Sequence, residues 1–322
     1  MSTEPYIEEV TDLEYPYYYT KEGDIPFWDN PLVNGYKFFP KDYKPYTTVE
    51  SVLSLYNRRR IDETDFMILK VLGDAICCNE DQLRRYLSSQ ISSSETSKRL
   101  DRFRSTGLVE RWKVRVRTEE EEVYAPPAPF VLGIAGFKLM KHFYNGDFFM
   151  NPNRWDNLGV GGIQRYVAMN ELRCRLIEAK AAVNWKWNAL VASNTLAKKP
   201  MGVCEVKTPR GNMNFLIERA QMNQNFIGFI KDKLNNWKNI YNKFGTIPVN
   251  EFAKNIPVAV IYTSTYSMAE KIHSEIMLDT FPFNVWVCIE EDMVKDGLHT
   301  AFYKAEGEHL KRMVLGFLDT KS

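Results

Sequence analysis

Several signatures are missing from this chain of 322 residues. No apolar run reaches the roughly 18 residues that a membrane-spanning helix needs, so no membrane partner is expected. The opening stretch, MSTEPYIEEVTDLEY, is acidic and lacks the basic-then-apolar pattern of a secretory leader; the expected compartment is the cytoplasm. Cysteine is scarce: Cys77, Cys78, Cys174, Cys204 and Cys288 form no C-x-x-C pair, and His142, His273, His299 and His309 are scattered. That spacing gives no zinc site, and buried, reduced thiols are the expected state. The sequence GVGG at 159–162 lacks the Lys-Ser/Thr of a phosphate-binding loop. No cofactor is expected, and no Ser or Cys has a recognisable catalytic partner. What is present is an ordinary 44% of hydrophobic residues. That is enough for a sizeable core, and the length suits two domains or one with a large appendage.

Charge is spread unevenly. Residues 1–57 carry ten acids against Lys21, Lys37, Lys41 and Lys44, and hold nine of the 17 tyrosines. Prolines and the absence of periodicity argue against regular structure there, while the aromatics argue against simple disorder. The expectation is a Tyr-rich acidic arm, either lying on the folded body or contacting another protein. Residues 82–117 are the opposite, with ten basic side chains against Glu95, Asp101 and Glu110. Such clustering is the footprint of an anionic partner.

The surrounding pattern says which partner. IDETDFMILKVLGDA (61–75) has helical spacing behind Asp62, a plausible cap; NEDQLRRYLS (79–88) follows Asn79; SSSETSKRLDRFRSTG starts on a serine and stops at Gly107. LVERWKVRVR (108–117) then alternates, with Trp112 and Val114 on one face and Lys113, Arg115 and Arg117 on the other. EEVYAP reads as the returning strand and TEEE as the tip between them. Three helices and a two-stranded wing predict a winged helix-turn-helix over 58–125. Its third helix would enter the major groove of double-stranded DNA, with Leu100 and Phe103 turned inward. The candidate DNA contacts are Arg84, Arg85, Ser93, Ser94, Thr96, Lys98, Arg99, Arg102, Lys113, Arg115 and Arg117. Together these suggest neutralisation of about five or six phosphates. The glutamates at 119–122 oppose phosphate contact, so the tip points away from the duplex or meets protein.

Residues 126–160, rich in Pro, Gly and Asn around GIAGFKLMKHF, read as a linker with a helix. From 161 to 322 helices alternate with strands: WKWNALVAS, PMGVCEVKT, NMNFLIERA, IPVAVIYTS and FNVWVCIEE, with a long helix over 221–244. The overall class is α+β, a winged helix followed by an α/β domain with a central mixed sheet.

The order winged helix, QRYVAMNELRCRLIEA, then the hairpin KPMGVCEVKTPRGNMNFLIERA with a long helix behind it resembles the plasmid replication-relaxation family over about residues 60–290. The resemblance implies a restriction-endonuclease-like C-terminal domain. It also implies a role on plasmids or mobile elements in replication, DNA relaxation or transfer, or in transcriptional control, with replication or transfer proteins and a second copy of the chain as partners. Such nucleases need an Asp on one strand and a Glu and a Lys two residues apart on the next, to hold Mg²⁺ and orient water. With TPRG (208–211) as the turn, Met201 takes the Asp position opposite Glu218, and Ala220 takes the Lys position. The expectation is a degenerate, non-cleaving domain in which Glu218 is neutralised by Lys198 or Lys199. Glu205 and Lys207, a literal E-x-K, and Glu218 are the residues of the alternative, a metal-dependent nuclease or nicking enzyme. A third reading is a protein-interaction module built on the winged helix and the Tyr-rich arm.

Overall fold

The computed structural model describes residues 19–116, 126–222 and 225–320. The chain enters as an extended segment with one 3-10 turn at Phe27–Asp29, then forms strand β1 (Val33–Lys37) and helix α1 (Val49–Asn57). Both elements fall inside the stretch expected to lack regular structure. β1 is too short to show periodicity and exists because it pairs with a distant strand. α1 is defined by a reciprocal cap between Thr48 and Ser51.

The next helices begin where the sequence places caps. Asp62 and Asp65 cap each other at the start of α2 (Glu63–Ala75). β2 (Cys77–Asn79) leads into α3 (Glu80–Leu87), where Asn79 and Gln82 do the same. The Ser92 hydroxyl accepts from the Glu95 amide at the start of α4 (Ser93–Ser105). The turn after α4 needs glycine: Gly107 has φ +73°, and a Cβ there would stand 2.7 Å from the Cβ of Pro45. β3 (Val109–Val116) follows. Its expected partner, EEVYAP, falls mostly on residues 117–125, outside the described residues. The strand paired with β3 is β4 (Pro129–Leu132), part of the stretch read as a linker. Phe130, Val131 and Leu132 are fully buried, which explains the pairing better than their neighbouring prolines do. α5 (Ile134–Phe143) closes this core around Leu69, Leu72, Leu83, Leu100, Phe103 and Leu139. The sheet order is β1-β3-β4-β2, antiparallel throughout.

α6 (Trp155–Glu178) bends at Gly159, whose φ is +56°. β5 (Ala182–Trp187), β6 (Gly202–Val206) and β7 (Met213–Arg219) form a meander. α7 (Phe226–Phe244) crosses to β8 (Ile256–Thr263), and α8 (Tyr266–Ile276) crosses to β9 (Asn284–Ile289). α9 (Glu290–Asp296) and a hairpin of β10 (Phe302–Glu306) and β11 (His309–Met313), which the sequence reading did not include, complete the domain. The mixed sheet runs β11-β10-β9-β8-β7-β6-β5, with only β7, β8 and β9 parallel. α7 and α8 cover one face and α6 the other. Among the described residues no helix is long and apolar enough to cross a membrane.

α6 also packs on the smaller sheet, so Val33, Trp112, Val114 and Val131 share one core with Phe215, Ile217 and Val260. Buried polar groups fix that junction. The Asn170 amide donates to the carbonyls of Ala75 (2.9 Å) and Cys77 (2.8 Å), and Tyr86 donates to its oxygen at 2.7 Å. Gln82 donates to the Val167 carbonyl at 2.9 Å. Leaving such groups unpaired costs roughly 1–3 kcal/mol each, so the contact has one register. All five cysteines are free and buried, and burial pushes the Cys174 and Cys204 thiols up to about 12.

Candidate nucleic-acid interface

α4 presents Ser93, Ser94 and Lys98 to solvent, and β3 presents Lys113 and Arg115. None of these cations has an ion pair among the described residues. They are the sequence candidates that remain free to meet a ligand. Arg117 and the TEEE tip lie outside the described residues.

The other candidates are already engaged. Thr96 is fully buried and donates to the Ser92 carbonyl at 3.1 Å, so it cannot reach a base. Arg84 binds Glu80 (2.5 Å) and the Ser97 hydroxyl (2.6 Å). Arg85 turns away from α4 and grips Glu171 (2.7 Å) and Glu178 (2.6 Å) on α6. Burial works against its charge, but the bond to Glu178 and the field of Glu171 more than compensate and hold it protonated. Arg99 spans Asp62 (2.7 Å), Glu95 (2.6 Å) and Asp65. Arg102 also reaches Asp65, although half of its side chain stays exposed. Burial is the largest single influence and raises Asp62, but the hydrogen bonds from Arg99 and the Asp65 amide together with the charges of Arg99 and Arg102 exceed it and leave the carboxyl below its ordinary range. The two acids that cap α2 therefore also anchor α4, which fixes how far the helix projects.

β1 adds to this surface. Its register places Asn34 opposite Arg115 and Tyr36 opposite Lys113, so all four side chains share the open face. The opposite face of the pair is closed by Val33, Val114 and Trp112, and there Lys37 neutralises the buried Glu110 at 3.2 Å. No local signal around Val33–Lys37 announces that pairing.

The second candidate site, on the β6–β7 hairpin, has the expected register: Glu205 opposite Asn214 and Val203 opposite Leu216. Glu218 is buried and paired with Lys233 of α7, and it accepts from the Met201 amide at 2.9 Å. Its neutralisation by Lys198 or Lys199 is corrected: Lys198 pairs with Asp232 at 3.0 Å. Lys233 escaped notice because it lies on an amphipathic helix among other lysines. Glu205 accepts from the amides of Asn212 (2.7 Å) and Asn255 (3.0 Å), and Lys207 is exposed without an ion pair to it among the described residues. Glu205 and Glu218 lie on one face but four residues apart along the hairpin, about 13 Å at the usual strand rise. One ion cannot bridge them. No group of three or more His, Cys, Asp or Glu that could hold a metal ion occurs among the described residues.

A third cluster had no sequence signal. At the end of β7, Arg219 is fully buried, 2.7 Å from Glu290 and 3.9 Å from Asp29, with its guanidinium over the Tyr262 ring. Asp29 also accepts from the Met222 amide (2.9 Å) and the Ser264 hydroxyl (2.7 Å). Burial raises its carboxyl to about 6 despite the Arg219 charge. The described part of the N-terminal segment is thus tied into the larger sheet.

No family model, curated protein or solved structure matches this chain.

Proposed function

We propose that the chain is a sequence-specific binder of double-stranded DNA acting through a winged helix-turn-helix. The observation that carries this reading is the order α2, β2, α3, α4, β3, β4 with sheet order β2-β4-β3, together with a third helix that exposes Ser93, Ser94 and Lys98 and a following strand that exposes Lys113 and Arg115. That order supports the winged-helix reading. Lys98 with Ser93 and Ser94 reads base edges, while Lys113 and Arg115 hold phosphates. Arg85 and Arg99 position the helix rather than touch DNA, and Arg102 divides its donors between Asp65 and the groove. In this proposal, which rests on the resemblance to the replication-relaxation family, the chain acts on a plasmid or phage, in replication, transfer or transcription, in the cytoplasm.

In this reading the larger domain is a scaffold that does not cut DNA. A buried Glu218 satisfied by Lys233 and a backbone amide has little left to offer Mg²⁺, and the thioether of Met201 does not suit a hard cation. Selection of duplexes from a random library tests the recognition step. An enriched motif that changes in Lys98→Ala is the expected result. Recovery of duplex without any enriched motif refutes sequence-specific recognition.

A further inference from the structure

We propose that the open face of β1 and β3 is a stacking platform for single-stranded DNA, adjoining the surface that α4 presents to the duplex. This goes beyond duplex recognition and does not depend on it. The face sets rings on the β1 side against cations on β3. Tyr36 of β1 and Phe38, the residue just past its end, are 50% and 41% exposed. Tyr36 lies directly opposite Lys113 and Asn34 opposite Arg115, while the Phe38 amide donates to the Arg111 carbonyl at 2.8 Å and extends the pairing. The Arg104 guanidinium lies 5.5 Å from the Phe38 ring centroid and is neutralised by Asp101 at 3.2 Å. None of the outward residues of the two strands, Asn34, Tyr36, Arg111, Lys113 and Arg115, nor Phe38 just past β1, carries a carboxylate.

Charge complementarity selects a polyanion, and the rings select its form. A duplex hides its base faces, so it would meet only the cations. Alternate residues on a strand stand about 6.8 Å apart, twice the rise of about 3.4 Å per nucleotide in a stacked strand. Two bases can lie against both rings only when drawn out of their stack. A single strand meets both requirements, with phosphates on Lys113 and Arg115 and bases on Tyr36 and Phe38. The platform is also held rigid. A Cβ on Gly35 would stand 2.9 Å from a Val114 methyl and 3.0 Å from one of Val160, so β1 is pressed flat against α6.

The test is fluorescence anisotropy of the full chain with a labelled thymidine oligonucleotide and with a duplex of random sequence. Tyr36→Ala and Phe38→Ala should each weaken the single strand by about 5- to 150-fold, the usual range for losing one stacked ring. Duplex affinity should change less than about 2-fold. Tyr36→Trp, which keeps a stacking face, should bind the oligonucleotide at least as well as the native chain. Unchanged oligonucleotide binding in both alanine variants overturns the proposal. So does a parallel loss for duplex and single strand, or an equal loss in Tyr36→Trp and Tyr36→Ala. A chain that binds the oligonucleotide through these rings but enriches no duplex motif would retain the platform while recognition by α4 falls.

Discussion

Arg85 shows how a basic residue in a basic segment can serve the fold instead of a ligand. It stands among the ten cations of 82–117, yet its guanidinium is bound by Glu171 and Glu178 across the junction between the two sheets. Removing it leaves two carboxylates without their shared partner in a half-buried site. Arg85→Ala should therefore lower stability by roughly 1–3 kcal/mol and leave the salt dependence of DNA binding unchanged. Chemical denaturation and a salt titration on the same variant check this. Weakened DNA binding at native stability would instead make Arg85 a ligand contact. Asp29 makes a second prediction. Its folded carboxyl titrates near 6 against an ordinary value of 3.8. A raised carboxyl binds its proton more tightly folded than unfolded. Its favourable contribution is therefore complete below about pH 4 and lost as pH rises through 6, by about 3 kcal/mol. Glu110 and Glu290 are also raised by burial, so the informative quantity is the difference between native and Asp29→Asn chains. Asp29→Asn should flatten the pH 4–6 slope of stability. Equal slopes in the two proteins would refute the assignment.

At the scale of elements, ion pairing decides how much of the basic segment is available. In the basic segment Arg84, Arg85, Arg99 and Arg104 are spent on neighbouring acids and Arg102 shares Asp65, which leaves Lys98, Arg111, Lys113 and Arg115 without an ion pair among the described residues. With Lys98 on a base edge, Arg111, Lys113 and Arg115 account for three phosphates, rather than the five or six suggested by composition, and give an expected slope of log K against log salt near −2.7, at about 0.9 per phosphate. Lys113→Ala or Arg115→Ala should reduce the slope by roughly 0.9 and weaken all sequences alike, whereas Lys98→Ala should alter preference at one position. A slope near zero would remove β3 from the phosphate-binding surface. The caps at Asp62, Asn79 and Ser92 set the starts of α2, α3 and α4, and each was readable because a capping side chain acts within three residues. The β1–β3 pairing was not readable. Its partners are separated by about eighty residues, and neither strand encodes the other.

For the whole molecule, α6 is the common wall of two sheets. Its apolar side chains bury against both, and Asn170 ties it to the end of α2 and the start of β2. Two units sharing one core helix cannot lose it separately. Thermal unfolding followed by calorimetry should show one transition, and Asn170→Ala, which strips two buried carbonyls of their donor, should shift that transition as a whole by a few kcal/mol. Two resolved transitions, with only one moved by the variant, would show that the units are independent.

The sequence by itself determined the features that depend on near neighbours. These include the three capped helices, the inward Leu100 and Phe103, the alternation of β3, and the hairpin register that sets Glu205 opposite Asn214. Each follows from side-chain period or a turn a few residues long. Tertiary structure alone decided which charges are free. Lys98 and Arg102 look equivalent along α4, but only Arg102 comes within reach of Asp65. Glu218 looks like a stranded acid until Lys233 arrives from α7. The acidic N-terminal stretch looks like an appendage until β1 pairs with β3 and Asp29 reaches Arg219. Charge partnership depends on distance in space, and a linear sequence holds that information only for residues within a turn or two of each other.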